Sequence, residues 1–312
     1  MISKTVKLLF FPCLYATISV SGALAQAPRT FVSGLGVDGG ACTRIAPCRA
    51  FSAAIAQTSA GGEVVALDSA GYAVFTVTQA VSIVVPPGVY AGVSVFSGNG
   101  VQINAGAPDI VVLRGLTINN QGSSGSGIVF NTGGLLYVES CVVNGFSNGT
   151  GIWFLANSNG KLEVKDSIIR GNLFGIDANP SVAQTGLVTI DRTRFERNAS
   201  FALRAAQRSK VTVRNSLASG NSHAFEADSN TAEAAELNVE NCIISNNGGV
   251  GVSASSSSTG IATARVSNST ITDNNFGLFN SGAPALVLSR GNNTVAVNST
   301  NTHGTLGSYT AK

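Results

Sequence analysis

Charge, aromatic rings and histidine are all scarce in this chain. Of 312 residues, 11% are charged and 7% aromatic, with one Trp, one Met and two His. A net charge of +3 is too small to make a nucleic-acid-binding surface. The histidines, His223 and His303, have no ligand or nucleophile partners near them in sequence, and loop or tail positions suit them. No cluster of acids suits calcium, so no metal or cofactor is expected. No apolar stretch reaches the ~20 residues needed for a membrane span. Disorder is excluded as well, because 44% of the residues are hydrophobic.

The chain starts with Lys4 and Lys7, then an apolar stretch from Leu8 to about Val20, then Ala23-Leu24-Ala25. That order predicts a signal peptide over 1–25 and a secreted product, periplasmic or extracellular. Cys13 would leave with it. Residues 26–312 are then expected to form one domain: an N-terminal cap with a helix over 26–62, coils over 63–297 and a tail over 298–312. In an oxidising compartment Cys42 and Cys48, six residues apart, most simply form a disulfide. Metal binding is the alternative, and two ligands alone make a poor site.

What is abundant is repetition. Similar segments begin at Ile110, Leu136, Leu162, Val188, Val211, Leu237, Ala264 and, degenerately, Leu286, at spacings of 22 to 27 residues. The first and third positions are apolar, as in a strand with one buried face. The sixth is small: Gly115, Cys141, Ser167, Thr193, Ser216, Cys242, Ser269. The eleventh is Asn at 120, 172, 198, 221, 247 and 274. Asn tolerates left-handed backbone and bonds along stacks of identical amides. A second strand follows, opening with Gly127, Gly151, Gly175, Ala202, Ala224, Gly251 and Gly277. One such unit cannot bury its apolar face, but a stack can. The expected fold is all-β, a single-stranded right-handed parallel β-helix. Phe51, Ala54, Ile55 and Thr58 have helical spacing and predict a short helix capping the open end. Cys141 and Cys242 lie four coils apart, about 19 Å at strand spacing, and are read as separate buried thiols.

The stretch DGGACTRIAPCRAFSAAIAQTSAGGEVVAL and the repeats with their Asn column resemble the right-handed parallel β-helix, pectate-lyase-like superfamily. They are closest in character to small secreted bacterial β-helix proteins of unassigned function. The resemblance spans nearly all of the chain after residue 25. It implies contact with polysaccharides and supplies no catalytic motif matched residue by residue.

Outward side chains stack coil over coil. The fourth position of the first strand reads Leu113, Glu139, Lys165, Asp191, Arg214, Glu240, Ser267, a charge ladder that sets register. The third position of the second strand reads Val129, Trp153, Asp177, Arg204, Glu226, Ser253, Phe279. Here Asp177 and Glu226 lie two coils apart, about 9.6 Å, with Arg204 between them. That separation is near the about 6.5–9.5 Å of an inverting glycosidase. Trp153, one coil from Asp177, would serve as a sugar platform, with Arg204 as the second substrate-binding residue. The structural alternative is a neutralised ladder, since a neighbouring cation makes a carboxyl a poor acid. Arg192, Arg194, Arg197, Arg204, Arg208, Lys210 and Arg214 form the one basic concentration. It is either a solvated face or a site for acidic sugars.

These residues point to a secreted, monomeric, non-catalytic protein that binds polysaccharide or acts at the cell surface. The alternatives are a polysaccharide hydrolase or lyase using Asp177, Glu226 and Arg204, and a structural, adhesin-like surface protein.

Overall fold

The computed structural model describes residues 26–156, 159–181 and 185–310. The proposed signal peptide lies outside them. The chain winds as a right-handed parallel β-solenoid of about nine turns with three parallel sheets. In a full coil, one strand joins each sheet in turn, as in Lys161–Lys165, Ile168–Arg170 and Phe174–Ala178. The first sheet holds 12 strands and the other two 10 each. Thr300–His303 and Leu306–Ser308, within the expected tail, still pair with the third and first sheets.

Apolar positions alternate inward and fill a continuous core. Leu136, Leu162, Val188, Val211, Leu237 and Ala264 are in register and buried. The helix Phe51–Gln57 buries Phe51, Ala54 and Ile55 against the first coils. Phe51 packs on Tyr72 and Phe75, with ring centroids 4.8 and 5.0 Å apart. A strand that the sequence does not announce, Ala27–Val32, pairs along Thr58–Ala66 at the sheet edge. The Cys42–Cys48 disulfide is formed beside it.

The first repeat is shifted by one residue from its predicted frame. Val111, not Ile110, pairs with Leu136. Leu113 is therefore fully buried, and Arg114 takes the outward place beside Glu139. The run IVVL offers apolar residues at both parities, so alternation alone leaves its register open. Gly115 precedes the small-residue column, and Leu116 stands level with Cys141.

Asn120 is displaced with them: its side chain bonds locally to Gly122 and Ser123 and reaches the next coil only at Gly145 O, not at another side-chain amide. The amide ladder instead runs Asn172, Asn198, Asn221, Asn247, Asn274 and Asn298. Asn172 Oδ1 accepts the Phe146 N–H, and from Asn198 on each ladder Oδ1 accepts both the backbone N–H and the amide of the rung before it, as Asn221 does from Asn198 at 3.0 and 2.8 Å. Asn298 gives its two donors to Asn301, three residues on. The Gly column makes room for these amides: a Cβ at Gly151 would lie 2.8 Å from Asn172 Nδ2. Hydroxyls of the small column act alike, Ser167 accepting from Cys141 N and Ser269 from Cys242 N. Cys141 and Cys242 are buried free thiols. Burial pushes them up to about 12 and about 11.

Candidate functional site

The predicted column on the third sheet exists in the predicted register. Val129 pairs with Trp153, Trp153 with Asp177, Asp177 with Arg204, and Arg204 with Glu226, then Ser253 and Phe279. Trp153, Arg204 and Glu226 are half-buried, and Asp177 is buried beneath them.

Arg204 grips Asp177 with two hydrogen bonds of 2.9 Å, from Nε and Nη2. Its third nitrogen lies 3.7 Å from Asp228. Its guanidinium also stands 4.8 Å from the centroid of Phe174. Burial works against the Arg204 charge, and the bonds to Asp177 outweigh it, so its pKa is raised. Glu226 is next in register to Arg204, yet its carboxyl makes only one hydrogen bond among the described residues, from the Ser253 hydroxyl at 3.4 Å. Burial, helped by Asp228, pushes its carboxyl up to about 7, against the pull of Arg204. Asp228 is raised as well, by burial.

Asp228 was not foreseen in the sequence. It sits two residues beyond Glu226 on the same strand, His223–Ser229, so period-2 alternation puts both on one face. Extending the column by two positions would have found it.

Both histidines lie in strands and aromatic stacks, not in loops. His223 stacks on Phe201 at 4.9 Å, and Phe201 on Phe174 at 6.1 Å. The His223 Nδ1 accepts the Val250 N–H, and burial lowers its pKa. His303 stacks on Phe279 at 4.6 Å. Apolar neighbours one coil away place these rings, and the linear sequence hides such neighbours.

Two buried polar atoms lack hydrogen-bond partners among the described residues: Trp153 Nε1 and Gln207 Oε1. Both belong to this region. Trp153 is in the column, and Gln207 follows Arg204 by three residues and bonds Asn179 through its amide nitrogen. Beyond the column, Leu155, Asn179, Pro180, Gln207, Arg208 and Glu233 line a depression of about 460 Å³.

The basic concentration is largely consumed by partners. Arg192 pairs with Asp166 and Asp191, Arg194 with Glu196, Arg208 with Glu233, Lys210 with Glu236 and Arg214 with Asp191. No group of three or more His, Cys, Asp or Glu residues could hold a metal among the described residues. No helix among them is long and apolar enough to cross a membrane.

A family model described as "Right handed beta helix region" matches residues 99–276. The chain belongs to the right-handed β-helix family. No curated protein matches this member. Among solved structures, this β-helix is similar to pectate lyase Pel9A, with a TM-score of 0.52 and 13% identity over 91% of this chain and 80% of that one. It is also similar to the A-module of mannuronan C-5 epimerase AlgE4 from Azotobacter vinelandii, with a TM-score of 0.51 and 12% identity over 81% and 91%. At such identities the likeness shows the β-helix fold alone.

Proposed function

We propose that this β-helix is a secreted, monomeric, non-catalytic protein that binds carbohydrate on the outer face of its third sheet. On this reading residues 1–25 are removed on export and the remainder acts as one domain. The observation that carries the reading is the half-buried Trp153 in register with Asp177 and, one coil further, with Arg204, whose guanidinium Asp177 holds by two bonds. A half-buried indole and a fixed guanidinium on one face suit a ligand rich in hydroxyls. Trp153 offers a ring for a sugar face, and Arg204, immobilised by Asp177, offers preset donors. Both Asp177 oxygens are occupied by Arg204, which makes this carboxylate a fixed wall of the site.

The test is retention of the purified chain on a glycan array. Retention is expected, and Trp153→Ala should abolish most of it while leaving the circular dichroism unchanged. Retention that is indifferent to Trp153 would sink the reading.

A further inference from the structure

The third-sheet face carries an imbalance of charge. Three carboxyl groups, of Asp177, Glu226 and Asp228, surround one guanidinium, that of Arg204. Arg204 leans toward the preceding coil and spends its two shortest bonds on Asp177. Glu226 feels the Arg204 charge but makes no ion pair with any of the described residues. The groups that face it are Arg204 from the coil before, Ser253 from the coil after, and Asp228 and His223 from its own strand. Burial holds the imidazole below its ordinary pKa, so His223 supplies no charge at neutral pH.

We propose that Glu226 sets the specificity of this face, selecting glycans whose hexosamine amino groups are free and cationic and rejecting uronates. The inference rests on the carbohydrate-binding reading above. A uronate carboxylate would meet Glu226 and Asp228 as like charges. A neutral N-acetyl group would satisfy hydrogen bonds and leave the charge unpaired. An ammonium supplies both donors and charge, and the half-buried setting strengthens that pair relative to water.

Proton linkage gives a second signature. Glu226 is neutral below about 7 and charged above it. A ligand with a permanent positive charge should therefore bind more tightly as pH rises through that value.

The experiment is calorimetric titration of the full chain with four hexasaccharides: glucosamine, N-trimethylglucosamine, N-acetylglucosamine and galacturonate. The cationic pair should bind about tenfold more tightly than the N-acetylated one, an increment of one favourable charge contact. Galacturonate should show no measurable heat. Affinity for the trimethylated probe, whose charge does not titrate, should rise between about pH 6 and about pH 8. Glu226→Gln should erase both the preference and the pH slope. If that variant fails to fold, the wild-type slope decides alone. Equal or stronger binding of the neutral or acidic probe, still dependent on Trp153, overturns the charge selection and leaves carbohydrate binding intact. Preference that persists in a folded Glu226→Gln variant also overturns it. Binding of none of the four overturns both.

Discussion

Two polar columns run through the later coils, each with one residue per coil, and they differ in how they are satisfied. The amide ladder from Asn172 to Asn298 repeats one side chain that is both donor and acceptor, so every rung completes its neighbour. The outer column from Trp153 to Ser253 changes chemistry at every rung, so it is left with a spare carboxyl at Glu226 and an idle indole N–H. Uniform columns close on themselves and hold coils together. Mixed columns leave valence over, and on the proposed reading that surplus is what a ligand would meet.

The sharpest way to break this contrast is to delete one rung of the ladder. Asn221 is 2% exposed and makes four ladder or corner bonds, to Asn198 N and Nδ2, Phe195 O and Asn247 Oδ1. Asn221→Ala should cost about 4–6 kcal/mol in urea unfolding, because several buried groups lose partners at once. Asn120→Ala, off the ladder, should cost about 1 kcal/mol. Equal losses would show that the ladder adds nothing special.

On the outer column the expected losses are smaller and reversible. Arg204→Ala strands the Asp177 carboxylate, 4% exposed, and should cost about 3 kcal/mol. Replacing both, Arg204→Met with Asp177→Leu, should return most of that stability by the same unfolding assay.

The smallest effect has the opposite sign. The folded state holds the Glu226 proton more tightly than the unfolded chain does. Wild-type stability should thus fall as pH rises from near 4.5 to about 7. Glu226→Gln should remove that slope and be more stable than wild type at alkaline pH by about 1–3 kcal/mol. A melt series across this range reads the difference directly.

Most of the coil plan could be read from the sequence because its columns are chemically narrow. Apolar pairs, Cys or Ser corners and Asn rungs each admit few residue types, and so they align by eye. What stayed hidden is chemically broad. At the corner before the second sheet, Ser140, Asp166, Arg192, Asn215, Asn241 and Asn268 all adopt left-handed backbone, with φ between 47° and 52°. Only the Asn residues announce it. The third-sheet column was legible as a set of residues, and its partnerships were not. Whether Arg204 leans to Asp177 or to Glu226 depends on side-chain reach across a coil. The strand Ala27–Val32 lacks a repeat partner in sequence; Pro28 is compatible with the edge place it takes but does not announce a strand.

The direction of the ladder bonds has a consequence for how such a stack is assembled. Each coil's corner N–H groups are met by side chains of the coil that comes after it, from Phe146 to Asn172 and onward. A nascent stack therefore resembles a growing polymer with a reactive leading end: whatever coil is last presents donors that only the next can quench. At the other end of the stack the helix Phe51–Gln57 packs against the first coils. Asn301 turns back three residues to meet Asn298, so this last rung is quenched from within its own turn and not by a further coil.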